Sequence, residues 1–375
     1  MRTAQCAVPT ENMVNKKILE ITPYQPGKPI EEVKREMGLR EVIKIASNEN
    51  PLGPSPAAVS AIKKALFKIN RYPDGSCFYL RQALSKKLKI KPGNLIFGNG
   101  SDEIIDIIIK TFSQPGDQIL TSEVTFLEYK IIARQNGRRV ITVPLKDFRY
   151  DLAAIKARIT SKARIIFIAN PNNPTGTYVN KQEVERFLSG LPEDILVVFD
   201  QAYLEFVEKK DFPRTLEDAR KRKNVIVLRT FSKIYGLAGL RIGYAIANQE
   251  CIAYLERARQ PFNVNMLAQE AARAALSDRD FVNQTKKLVR EGKRYLEQAL
   301  KRLGLEFVPS AANFILIDLK EDGLKVSREL LKRGVIVRDM CQYGLRDFIR
   351  VTVGLRKENE KFIKELKRII LARGK

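Results

Sequence analysis

The chain has 375 residues and a mass of 42.7 kDa, enough for one large domain with a smaller partner and too much for a single small module. Hydrophobic residues make up 44% and charged residues 29%, a folded globular composition that excludes wholesale disorder. Lys and Arg number 67 against 43 Asp and Glu, a net charge of +24, and there is no histidine, which excludes His-ligated metals, Ser-His-Asp triads and a histidine base. Acid–base chemistry then falls to Asp, Glu, Lys, Tyr or Cys.

The N-terminal MRTAQCAVPTENM has no apolar core and reads as a short unstructured leader. Residues 14–47 read as an arm, irregular at TPYQPGKP and helical from about 29 to 37. After the turn-rich SNENPLGPSP, strands and helices alternate. LIFGNG, DQILTSE, ARIIFIAN, DILVVFD and NVIVLRT are strands, and helical periods fill the intervals. Bare β-branched runs suit a parallel sheet buried on both faces, and the βα alternation predicts a doubly wound α/β sheet. Near residue 262 the pattern changes. Two helices, about 266–277 and 281–303, lead to strands NFILIDL, VIVRD and FIRVTVG and a terminal amphipathic helix. The expected division is therefore leader and arm to 47, a large domain over 48–262 and a small α/β domain over 263–375.

Cys6, Cys77, Cys251 and Cys341 are scattered with no C-x-x-C pair, as free thiols in a reducing cytoplasm would be. No apolar run reaches the ~18 residues of a membrane helix. The high pI raises nucleic-acid binding as an alternative. Yet the densest basic runs, KKLKIKPG and KRKN, are short, and there is no basic tail, RNP-like strand or helix-turn-helix signal. A solvated lysine-rich surface that helps capture an anionic substrate is the expectation, without nucleic acid or membrane as partner.

Three strands end in reactive side chains: ARIIFIAN before Pro171-Asn172-Asn173-Pro174, DILVVFD at Asp200, and NVIVLRT before Phe231-Ser232-Lys233. Ligands of open α/β sheets bind at such carboxyl ends. Each residue has a plainer reading by itself. Lys233 suits a solvated surface, Asp200 a cap, Asn173 a turn, and Ser101 of Gly98-Asn99-Gly100-Ser101-Asp102-Glu103 an N-cap. Together they describe the needs of pyridoxal phosphate: a Schiff-base amine (Lys233), a carboxylate for the ring nitrogen (Asp200), and donors at the phenolic oxygen (Asn173, Tyr203). An anion site completes the set, from Gly100, Ser101, Thr230, Ser232 and Arg241.

The chain resembles the histidinol-phosphate aminotransferase family. The matching segments are ITPYQPGKPIEEVKREMG, IASNENPLGPSP, RYPDGSCFYLRQAL, FGNGSDEIIDIII, NPNNPTGT, FDQAYLEF, TFSKIYGLAGLRIGY, PSAANFILI and FIRVTVG, in family order over nearly all of residues 17–375. The resemblance implies a fold-type I pyridoxal-phosphate transferase with a doubly wound, mostly parallel sheet and a smaller C-terminal α/β domain. It implies a homodimer and transfer of an amino group from a phosphorylated donor to 2-oxoglutarate. It assigns catalysis to Lys233, Asp200 and Tyr203, ring stacking to Phe126, and phosphate binding to Gly100, Ser101, Thr230, Ser232 and Arg241, with Asp102 among the cofactor-binding residues. Tyr72 is expected to reach the neighbouring subunit's phosphate. Tyr24, Asn50, Arg338 and Arg350 fall on the substrate side, with Arg350 for a carboxylate and Arg338 and Tyr24 for the substrate phosphate. The chain departs from the family pattern at Gln201, usually Glu, which is expected to alter charge near the cofactor, and at Cys77, often Gly. An aromatic aminotransferase and a phosphothreonine decarboxylase share most of these features.

Overall fold

The structure, a computed structural model, describes residues 16–25 and 27–372, so the leader read from the sequence lies outside the described residues. The arm forms a helix at Ile30–Met37 and a short strand, β1 (Ile43–Lys44). Seven strands follow: β2 (Leu95–Asn99), β3 (Gln118–Ser122), β4 (Arg139–Val143), β5 (Ala163–Ala169), β6 (Leu196–Asp200), β7 (Val225–Thr230) and β8 (Ile242–Ile246). They make one sheet in the order β2-β8-β7-β6-β5-β3-β4. From β4 to β7 the pairing is parallel, while β8 runs antiparallel to both β7 and β2. This is the doubly wound, mostly parallel sheet that the sequence predicts.

β6 and β7 are buried along their whole length. Each large aliphatic side chain removed from water there contributes about 1.5–3 kcal/mol, which is why the bare apolar runs become central strands. The apolar-run criterion misses β4 and β8. β4 is an edge strand of mixed exposure, and β8 is interrupted by Gly243, so neither presents an unbroken aliphatic stretch. Helix starts follow local capping chemistry. Asn180 and Glu183 form a capping box, and Asn265 and Asp278 accept backbone N–H groups at the starts of Met266–Ser277 and Arg279–Arg302.

The remaining strands are β9 (Glu306–Val308), β10 (Phe314–Asp318), β11 (Val335–Ile336), β12 (Arg338–Asp339) and β13 (Phe348–Thr352). A second, antiparallel sheet has the order β12-β13-β10-β9. β11 instead pairs in parallel with β1, which ties the arm to this part of the chain. Val33, Ala46 and Ile336 pack together behind that pairing. The helix Met266–Ser277, assigned from the sequence to the small domain, packs chiefly on the helices Pro56–Ala65 and Phe78–Leu88. Among the described residues no helix is long and apolar enough to cross a membrane.

Gly236, three residues after Lys233, has φ 69°, and a Cβ there would stand 2.1 Å from the Gly53 carbonyl oxygen. Both the backbone conformation and the close approach require glycine. Gly236→Ala is expected to cost about 2–4 kcal/mol in denaturant unfolding. An unchanged midpoint would contradict this packing.

Candidate active site

The pairing pattern carries distant residues to one edge. β6 ends at Asp200, opposite Leu228 of β7 and beside Ala169 of β5. Because β8 is antiparallel, its first residue, Ile242, lies at the same edge, opposite Asn99 at the end of β2. Thr230 faces Gly243 across the β7–β8 pair. Gly100, Thr230, Ser232 and Arg241 are thereby gathered although 141 positions separate the first from the last.

A cavity of about 250 Å³ opens there. Of the residues singled out in the sequence, Tyr24, Ser101, Asp102, Phe126, Asn173, Asp200, Tyr203, Thr230, Ser232, Lys233, Arg241 and Arg350 line it. Asn50, Tyr72, Gly100 and Arg338 do not. Asn50 is committed elsewhere: its Nδ2 donates to the Ile234 carbonyl at 2.9 Å and to Thr285 at 3.2 Å. Two positions earlier, Asn48 takes the wall position, and its Nδ2 donates to the Tyr203 hydroxyl at 2.9 Å. Tyr72 is 81% exposed and stacks on Phe262, with ring centroids 4.8 Å apart.

One end of the cavity is built for an anion. The thirteen-residue helix Gly100–Phe112 starts directly after β2, and Asn99 does not cap it with its side chain. Gly100 has φ 82°, and a Cβ there would stand 2.5 Å from Arg241 Nη2, so guanidinium and helix start approach closely. Arg241 also pairs with Asp102 at 2.7 Å, while the Thr230 and Ser232 hydroxyls lie 2.9 Å apart. Uncapped helical N–H groups, two hydroxyls and a guanidinium suit a phosphate.

The other end holds the titratable pair. Burial pushes the Asp200 carboxyl up to about 6, against hydrogen bonds from Tyr129 and the Ala202 N–H. Burial and the Arg350 charge push the Lys233 amine down to about 8. Lys233 Nζ donates to the Ser47 carbonyl at 3.4 Å and lies 5.7 Å from the Tyr203 ring centre. Phe126 supplies an aromatic wall, edge-to-face with Tyr129 at 5.5 Å. Amine, carboxylate, aromatic wall and phosphate cradle together fit pyridoxal phosphate by the chemistry of the donors.

Two arginines flank the cavity from the second sheet. Arg350 donates to Asn173 Oδ1 and, at 2.7 Å, to the Ala46 carbonyl, and its Nε is buried with no partner among the described residues. Arg338 stands directly opposite it on β12 and bonds the Gln25 carbonyl and, at 3.0 Å, Gln342 Oε1. Its guanidinium lies 5.2 Å from the Tyr24 ring centre. The hydrogen-bond partners of both buried cations are neutral oxygens, an arrangement that favours an anionic guest.

The two departures from the family pattern resolve locally. Gln201 turns away from the cavity: its Nε2 donates to Thr215 at 2.7 Å, and its Oε1 accepts from Arg229 at 3.0 Å. The expected change of charge beside the cofactor is therefore displaced to the Arg229 cluster. Cys77 is buried with φ 52°, in the left-handed region that glycine enters most easily. Asn48 and Tyr129 are among the wall residues that sequence reasoning missed. Asn48 lies inside the quoted SNEN turn, but Tyr129 has no motif of its own.

The raised Asp200 value has a consequence for stability. An unfolded chain releases that proton near 3.8, so the folded state bears a cost that is absent below about pH 4 and complete above about pH 6. Asp200→Asn is expected to stabilise the cofactor-free protein by up to about 3 kcal/mol near neutral pH, with the gain shrinking as pH falls toward about 4.5. Denaturant titrations across that range measure it, and a pH-independent difference would count against a buried anion.

The family model described as "Aminotransferase class I and II" matches residues 40–366. A histidinol-phosphate aminotransferase of Moorella thermoacetica is 52% identical over 94% of this chain and 92% of its own length. One of Anaeromyxobacter sp. is 46% identical over 94% of this chain and 98% of its own. The crystal structure of histidinol-phosphate aminotransferase from Sinorhizobium meliloti in complex with pyridoxal-5'-phosphate superposes with a TM-score of 0.87 at 28% identity, covering 95% of this chain and 97% of that one. The chain belongs to the class I and II aminotransferases and, within them, to the histidinol-phosphate aminotransferase family.

Proposed function

We propose that this protein is a pyridoxal-phosphate-dependent transaminase of histidine biosynthesis, passing the amino group of histidinol phosphate to 2-oxoglutarate to give imidazole acetol phosphate and glutamate. The observation that carries the reading is one cavity holding a lysine amine, a buried carboxylate and a helix-terminus anion cradle. Pyridoxal phosphate, when bound, supplies the electron sink that acidifies the substrate Cα–H. Gly100, Ser101, Thr230, Ser232 and Arg241 would hold its phosphate end, with Asp102 orienting Arg241 beside it, Phe126 would stack on its ring, and Asp200 would accept a hydrogen bond from the ring nitrogen. Asn173 and Tyr203 would donate at its phenolic oxygen.

The Lys233 amine moves the proton. With its pKa pushed down to about 8, it loses its proton more easily than an ordinary lysine, and Nζ can take a proton from the donor's Cα and, in the second half-reaction, deliver one to the acceptor's Cα. The amino group stays with the enzyme between two half-reactions, so the keto product leaves before 2-oxoglutarate binds and the kinetics are ping-pong. Arg350 would bind the α-carboxylate of 2-oxoglutarate or the equivalent position of the donor, and Arg338 with Tyr24 the donor phosphate.

A second copy of the chain completes the site in this reading. Phe67, Ile69, Tyr72 and Phe262 are 92%, 64%, 81% and 45% exposed, an apolar face that a monomer would leave in water. Tyr72, outside its own chain's cavity, would serve the neighbouring one. The free thiols of Cys77, Cys251 and Cys341 suit the reducing cytoplasm in which we place the enzyme.

Lys233→Ala is expected to abolish the Schiff-base absorbance and to lower turnover by roughly 10⁴-fold or more; retained transamination would overturn the role given to the amine. Purified enzyme offered histidinol phosphate, phenylalanine and phosphothreonine is expected to form keto product fastest from the first, and CO₂ from phosphothreonine would identify a decarboxylase instead. Arg338→Gln is expected to raise KM for the phosphorylated donor about tenfold or more while changing that for 2-oxoglutarate less. Equal effects on both would remove Arg338 from the phosphate site.

A further inference from the structure

The Asp200 carboxylate has two protein donors of different origin. Oδ1 accepts the Ala202 N–H at 3.1 Å, a contact supplied by the turn that ends β6. Oδ2 accepts the Tyr129 hydroxyl at 2.7 Å. Tyr129 belongs to another element, the helix Glu128–Gln135, and is completely buried.

The tyrosine ring has little freedom. It stacks on Phe167 of β5 at 4.8 Å with planes 7° apart, and Phe126 meets its edge at 5.5 Å. A ring clamped on two sides fixes where its oxygen lies, and the carboxylate must meet it there. A phenol is also a neutral donor. It stabilises an anion at Asp200 without adding a charge of its own to a dry cavity, and burial raises its own pKa well above the ordinary value, so the hydroxyl keeps its proton.

We propose that Tyr129 is a positioning residue for the reaction: its hydroxyl fixes one carboxylate oxygen of Asp200, so that the remaining acceptor capacity faces the cavity and grips a protonated ring nitrogen. Phe126 and Tyr129 thus act together, one segment supplying both an aromatic wall for the ring and the clamp for its counter-ion. The inference rests on the reading of Asp200 as the ring-nitrogen partner and goes beyond it by assigning the residue through which that carboxylate is held.

The test uses cofactor-free protein and equilibrium binding rather than turnover. Two ligands are compared: pyridoxamine phosphate, which forms no covalent bond with Lys233, and its analogue with the ring nitrogen replaced by C–H. Wild type is expected to prefer the nitrogen-containing ligand. Tyr129→Phe, which removes one atom and keeps the ring stack, is expected to shrink that preference about tenfold through weaker binding of pyridoxamine phosphate alone. In an Asp200→Asn background the same substitution is expected to leave the preference unchanged.

A preference that survives intact in Tyr129→Phe would overturn the inference and spare the reading of Asp200, as would equal weakening of both ligands. A wild-type protein that does not distinguish the two ligands would overturn the reading of Asp200 and the inference with it. An equal effect in the Asp200→Asn background would show that Tyr129 does not act through the carboxylate.

Discussion

A carboxylate at the end of an apolar strand is the constraint around which the rest is arranged. β6 is buried from Leu196 to Asp200, so the acid sits where water cannot solvate it. Its cost is offset by two donors, Tyr129 and the Ala202 N–H, and by the Lys233 amine across the cavity. Burial works on the amine in the opposite sense and favours its uncharged form. The protein alone therefore holds an anion and a base in an unfavourable setting, and a cationic ring between them would relieve the first while leaving the second free to react.

Topology makes that setting affordable in chain length. In an all-parallel sheet, the segment before β8 would emerge at the far edge. Its antiparallel insertion puts Arg241 next to the end of β7 and the start of the helix Gly100–Phe112. The same reversal aligns Asn99 with Ile242, so an anion cradle is assembled where the ends of β2 and β7 and the loop that joins β7 to β8 come together. The arm adds the opposing wall. Ile45 accepts the Thr352 N–H at 2.8 Å, and Asn48 bonds both Thr352 and Tyr203. One asparagine therefore touches the carboxyl-end side of the large sheet and a strand of the small one.

Much of this was legible in the residues. Unbroken aliphatic runs mark β5, β6 and β7, because a strand buried on both faces admits little else. Residues at their ends were legible because ligands gather there. What escaped depends on relations that no single segment carries. β8 has a glycine at its second residue and reverses direction, and direction follows from packing rather than composition. Tyr129 looks like any core aromatic on a helix, and only its distance from Asp200 sets it apart. Asn48 and Asn50 are equivalent in composition within one turn. The left-handed backbone at Asn48, with φ 55°, helps decide which amide faces the cavity. Gln201 misled for the same reason: adjacency to Asp200 along the chain suggested shared surroundings, whereas neighbouring side chains at a strand end point to opposite sides.

The register of the small sheet sets Arg338 directly across from Arg350. Like charges in facing positions repel, and neutral oxygens do not cancel them. A guest that carries about two negative charges, whether on a phosphate or on a pair of carboxylates, would answer that repulsion. An enzyme that alternates between dissimilar partners in a single chamber needs some feature common to both, and the pairing of two short strands would select for ionic valence where contour would admit only one.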